Sequence, residues 1–95
     1  MDQITDEKLD SYFKITGEAL DKVKIASPTG TPLHDSAKDF LDMAKRYYTD
    51  ARHFLDKGDK VTAFGALNYA HGWLDAGARL GLFEVGHDSR LFTVD

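Results

Sequence analysis

Four side chains with chemistry to offer lie on one line: Asn68, His71, Asp75 and Arg79, at spacings of three, four and four. On an α-helix these spacings place them along one narrow strip. A histidine one turn before an aspartate can present an oriented imidazole, the beginning of acid/base or metal chemistry. The strip would then border a small polar pocket beside Trp73 or Tyr48. The plainer reading is a row of i,i+4 pairs at the rim of a core, with Asp75 bonded to His71 or Arg79. A metal needs three or four ligands. One His/Asp pair is local here, and His34-Asp35 and His87-Asp88 would have to converge on it from elsewhere in the chain. The chain has no cysteine, which excludes thiolate ligands and disulfide frameworks. The pattern calls for no metal and no cofactor, and it contains no catalytic constellation.

The helix that would carry the strip, 59–82, is apolar on more than one side. Ala63, Leu67, Ala70, Leu74, Gly77, Ala78 and Gly81 share one side, and Ala66, Tyr69, Trp73 and Leu80 share an adjacent one. Together they exceed the single stripe of a surface helix. Such a helix either packs two partners within its own fold or offers one side to another molecule. Tyr69, Trp73 and Leu80 are therefore candidates for an interaction surface, because tyrosine and tryptophan concentrate at interface anchors. The alternative is that a first helix, through Leu9, Phe13 and Leu20, covers that side completely.

The remaining elements follow from periodicity and punctuation. A first helix is expected over 5–24, with Thr5 as N-cap, Asp6 and Glu7 at its positive end, and Ile4 and Leu9 spaced as a hydrophobic staple. The Pro/Gly-rich linker 26–32 cannot continue it. A second helix is expected over 33–57. It has an apolar stripe from Phe40 to Leu55 and a charged opposite face, with His34 or Asp35 near its start. Gly58 fits the left-handed residue that ends a helix, and Asp59 fits the N-cap of the next. So short a break forces an antiparallel helical hairpin. The tail 83–95 carries Phe83, Val85, Leu91, Phe92 and Val94, and either folds back over the bundle or stays mobile.

Composition narrows the function classes. The 95 residues form one domain on ordinary size grounds, 42% apolar, with six Phe, four Tyr and one Trp as bulky core material. No apolar run approaches the roughly 20 residues that span a bilayer. The acidic start of the chain has no secretion segment, so a cytoplasmic setting is expected. Net charge is −4, and no basic run exceeds Lys45-Arg46. That balance argues against a sequence-independent grip on nucleic acid, and against a base-stacking role for Tyr12, Tyr47 and Tyr48.

The run 48–59, followed by Ala63-Phe64, by 69–77 and by Arg79-Leu80-Gly81, resembles a small archaeal family known as domain of unknown function 357. The stretch from Tyr69 to Gly77 is the most specific part, and the likeness covers roughly the last two helices. The resemblance implies a cytoplasmic archaeal helical bundle, with no assigned activity and no catalytic residues to carry over. The Gly-Asp turn before an alanine-rich helix is also similar to tetratricopeptide hairpins and to a nucleotide-binding helical fold that includes ribonucleases. Arg46 and His53 have the loose spacing of that ribonuclease group, but both lie on the charged outer face of the second helix with no second acid or base beside them.

The expected fold is all-α: a three-helix bundle built on an antiparallel hairpin, with an irregular C-terminal tail. The expected function is a non-enzymatic interaction or self-association module, whose partner is a second copy or an unidentified protein, away from membranes and nucleic acid. The alternative is a small-ligand or nucleotide-related binding domain that uses the polar strip.

Overall fold

Each helix begins where a side-chain oxygen can accept a free backbone N–H. In the computed structural model, which describes residues 4–86, 88 and 90–92, Thr5 Oγ1 accepts from the Lys8 N–H at 3.1 Å and opens α1 (Asp6–Lys22). Ile4 packs against the cluster that holds Leu9, as a staple would. The helix stops sooner than expected, because Val23 turns extended and Lys24–Ile25 become a strand, β1. That strand pairs antiparallel with β2 (Phe83–Glu84), Lys24 opposite Glu84 and Ile25 opposite Phe83. Two-residue strands are too short to show an alternating pattern.

α2 (Pro32–Asp56) starts from Thr31, not from His34 or Asp35: Thr31 Oγ1 accepts the His34 N–H at 3.2 Å. Pro32 fits the first turn, where its missing N–H costs nothing and its φ is already helical. Gly58 takes the left-handed conformation at φ 81°, and Asp59 caps α3 (Lys60–Arg79) by accepting the Thr62 N–H at 3.1 Å. Beyond α3, the Leu82 N–H reaches back to the Gly77 carbonyl at 2.9 Å, with Gly81 left-handed between them.

The α2–α3 hairpin is the most closely packed pair of elements. Its centre is made of small residues seven apart on each helix. Ala37, Ala44 and Ala51 of α2 are fully buried, as are Ala63 and Ala70 of α3, and Gly77 continues the second row. Lys57 at the turn lies midway in sequence between Ala37 and Gly77, between Ala44 and Ala70, and between Ala51 and Ala63, so the two rows meet level by level. Small side chains let the backbones approach closely. At Gly77 even a methyl group is excluded, since a Cβ there would meet Phe83 Cδ2 at 2.5 Å.

α1 runs beside α3 in the same direction. Asp6 pairs with Lys60, the Tyr12 and Phe64 rings lie 4.8 Å apart, and Thr16 meets His71. It touches α2 through Phe13 and Tyr48, whose hydroxyl fits over Gly17. One buried cluster centres on Leu9, Phe13, Ala51 and Leu67. A larger one, at the far end, gathers Ala19, Ala44 and Leu74 under Leu82, Phe83, Val85, Leu91 and Phe92. The tail thus folds back and supplies much of the second core. Val94 and His87 lie outside the described residues. The architecture is an all-α three-helix bundle, to which the two short strands are a small addition.

Candidate functional site

His71 is where α1, α3 and the tail are joined. Its Nε2 faces the Leu91 carbonyl oxygen at 2.5 Å, which can only accept, so Nε2 carries the hydrogen. In the neutral ring Nδ1 then accepts from the Thr16 hydroxyl at 3.1 Å. Thr16 is buried in the middle of α1, and the bond to His71 satisfies its hydroxyl. Asp75 Oδ1 stands 3.8 Å from Nε2, an i,i+4 contact on the same helix. Both ring nitrogens are engaged by structural partners, which leaves neither for a metal or a substrate proton.

Three of the four strip residues also border a cleft between α1 and α3. It measures about 320 Å³ and is lined by Tyr12, Ile15, Thr16, Asn68, His71, Gly72 and Asp75. Arg79 is not among them and stands exposed at the end of α3. The cleft brings together Asn68, Asp75 and the covered Thr16–His71 bond, a set that can hydrogen-bond a small polar molecule.

The other face of interest points outward from α3. Val61 is 71% exposed, Tyr69 58% and Leu80 67%. Gly65, Gly72 and Ala76 are exposed between them, and a Cβ at either glycine would meet nothing within 4 Å. The chain has no Asp, Glu, Lys or Arg between Lys60 and Asp75. The first helix does not cover this face. α1 packs on the opposite flank of α3 through Phe64 and His71, while the Tyr69 and Trp73 edge meets α2. Trp73 is half-buried edge-on against Phe40, with ring centroids 5.0 Å apart, and its buried indole N–H finds no acceptor among the described residues. Tyr69 stacks on Tyr47 at 4.5 Å. A groove of about 420 Å³ runs along Gly65, Asn68, Tyr69, Gly72, Trp73 and Ala76. Of the residues expected to form an interaction surface, Tyr69 and Leu80 are on the exposed stripe and Trp73 is at its inner margin. Sequence reasoning missed Val61, Gly65, Gly72 and Ala76, although the glycines seven apart and the uncharged run were visible signals.

The sequence profile described as "Protein of unknown function (DUF357)" matches residues 11–83. The chain belongs to the DUF357 family. The match runs from inside α1 through the hairpin to the start of β2, so it takes in the outward stripe and the Thr16–His71 bond, and reaches further than the two-helix likeness read from the sequence. No curated protein and no solved structure matched the chain.

The remaining candidates in this DUF357 chain have local roles. Arg46 Nε donates to Asp42 Oδ2 at 2.8 Å, one turn away on the exposed face of α2. His53 is exposed there, with its ring edge-on to Phe54. His34 Nδ1 lies 3.0 Å from the Ser27 carbonyl and ties the linker to the start of α2. Among the described residues no three His, Asp or Glu side chains are grouped as metal ligands, and no helix is long and apolar enough to cross a membrane.

Proposed function

We propose that this DUF357 chain is a non-enzymatic protein-interaction module whose contact surface is the outward face of α3. One observation carries the reading. Among the described residues, three of the four exposed large apolar side chains, Val61, Tyr69 and Leu80, fall on a single stripe of one helix. In a chain 29% charged, that stripe is free of charge from Val61 to Ala76. Scattered surface apolar residues need no explanation, but an aligned set bordered by grooves marks a binding face. Tyr69 is held by Tyr47, so little side-chain freedom remains to be lost on contact. The test uses the tagged chain as bait in extract of its native host, beside Tyr69→Asp and Leu80→Asp. Proteins retained by the wild type, further copies of itself included, are expected to be lost from both variants while far-UV circular dichroism is unchanged. An identical retained set, or none at all from a strictly monomeric wild type, would overturn the reading.

A second reading is that the α1–α3 cleft binds a small polar or nucleotide-related molecule. It is favoured by the placement of Asn68 and Asp75 on one cavity that Tyr12 also lines. A thermal-shift screen against nucleotides decides it: a ligand at a hundred times its Kd adds about 2.7 kcal/mol of stability. No shift with any of them removes it.

A further inference from the structure

We propose that the α1–α3 cleft takes a flat heterocycle whose edge runs carbonyl, ring N–H, amino group, as in guanine and pterins, seated over Gly72 between Asn68 and Asp75. The inference rests on the cleft reading and adds the chemical class of the ligand and the way it lies.

The first argument is the space. α1 packs less closely on α3 than α2 does, and the cleft between them is about 320 Å³. That is the small end of small-molecule pockets, which run from about 300 to 1,000 Å³. Asn68, Gly72 and Asp75 follow one another along the α3 wall, at spacings of four and three. Gly72, the middle one, has no side chain, and a Cβ built on it would meet nothing within 4 Å. From Asn68 to Asp75 the helix rises about 10 Å. One heterocycle with a hydrogen bond at each end fills that span, lying over the bare backbone of Gly72. On the α1 wall, Tyr12 and Ile15 give its flat side an aromatic and aliphatic surface. Tyr12 is itself held, with its ring centroid 4.8 Å from that of Phe64.

The second argument is the set of polar groups, and it decides the class. Thr16 and His71 are bonded to each other, and His71 also to the Leu91 carbonyl, so they serve as wall. Asn68 and Asp75 are the groups that meet a ligand. Asp75 stands 3.8 Å from His71 Nε2, but a carboxylate accepts in about four directions and takes a ligand's N–H groups besides. An amide also donates, so the Asn68 NH2 suits a carbonyl. The guanine edge supplies these in order: its carbonyl toward Asn68, its ring N–H and amino group toward Asp75. Among the described residues no Lys or Arg lines the cleft. Lys8 Nζ lies outside, 5.8 Å from the Tyr12 ring centroid and 5.5 Å from that of Phe64, and Arg79 is exposed one turn beyond Asp75. The starts of α1 and α3, at Asp6 and Lys60, are about two turns away. With neither a cation nor a helix N-terminus at the cleft, a phosphate has no partner inside it. A nucleotide would enter base first and leave its phosphates in solvent.

Thermal shift and titration calorimetry with guanosine and with biopterin test the assignment, and whichever binds tighter identifies the source of the edge. Inosine, which lacks the amino group, is expected to bind about ten-fold more weakly than guanosine. GTP is expected to bind no tighter than guanosine. Gly72→Leu, which fills the seat at an exposed helix position, is expected to abolish binding and to melt no lower than the wild type. Asn68→Ala should weaken guanosine about ten-fold. Asp75→Asn puts an amide where the carboxylate stands and should remove the preference for guanosine over inosine, a change that loss of a merely structural contact would not produce. Guanosine binding that survives in Gly72→Leu, or a preference over inosine that survives in Asp75→Asn, overturns the proposal. So does adenosine that binds as tightly as guanosine, or GTP that binds clearly tighter, since its phosphates would then have partners. If another nucleoside raises the melting temperature while guanosine and biopterin do not, the class is wrong and the cleft reading stands. No shift with any nucleoside, nucleotide or pterin ends both.

Discussion

His71 shows how a residue with catalytic potential becomes a fastener. Its two nitrogens bond Thr16, 55 positions earlier, and the Leu91 carbonyl, 20 positions later, so one ring ties α1 and the tail to α3. The sequence exposes the His71–Asp75 spacing, but neither bonding partner could be found from it. Thr16 reads as a weak helix residue, and a backbone carbonyl leaves no mark on the pattern. Thr16→Val keeps the shape of the side chain and removes the hydroxyl, which leaves Nδ1 of a half-buried imidazole without its donor. The expected loss is about 1 to 3 kcal/mol in chemical denaturation. The same substitution made in a His71→Phe background should cost clearly less, because the partner is already gone. Equal costs in the two backgrounds would show that Thr16 contributes packing alone.

The hairpin was the most legible element, and its reason is local. Gly58 and Asp59 each satisfy a backbone requirement that few other residues meet, so two neighbouring positions fix both helix ends and the antiparallel sense. The start of α2 was less legible, because Thr31 sits inside a run of turn-forming residues and the helix extends one residue earlier than the apolar pattern. The direction of α1 was hidden too: its apolar stripe fits either flank of α3, and the choice depends on the Thr16–His71 and Tyr12–Phe64 contacts. The closeness of the hairpin rests on its alanine rows. Ala70 is fully buried at the middle level, facing the row that contains Ala44. Ala70→Leu adds three carbons where the backbones are nearest, and should lower stability by about 1 to 3 kcal/mol through overpacking. Thermal unfolding checks it, and a neutral or stabilising result would mean that the helices stand further apart than their small residues allow.

At the scale of the whole molecule, the tail closes one end of the bundle and does so without a covalent link. Leu82, Phe83, Val85, Leu91 and Phe92 enter the larger core, an outcome that periodicity could not decide because the described residues of the segment have almost no regular structure. Among the described residues, two ion pairs bind it to α1: Lys22 with Asp88 at 2.9 Å and Glu18 with Arg90 at 2.7 Å. Asp88 also accepts the backbone N–H groups of Arg90 and Leu91, both at 3.2 Å, so one carboxylate both anchors the segment and shapes its turn. The Lys22 hydrogen bond, with the backbone donors, holds its pKa below the ordinary 3.8. A carboxylate that is more acidic in the folded chain than in the unfolded one stabilises the fold fully above the unfolded value. That contribution fades as pH falls from about 3.8 through the lower native value. Amide exchange at Leu91 and Phe92, corrected for its intrinsic pH dependence, should therefore quicken relative to the α2–α3 hairpin as pH drops through that window. Asp88→Asn should show the faster tail exchange already at neutral pH and lose most of the acid response. If the tail amides of wild type and variant respond to acid alike, the apolar contacts of Leu91 and Phe92 hold the segment and the carboxylate has no part in it.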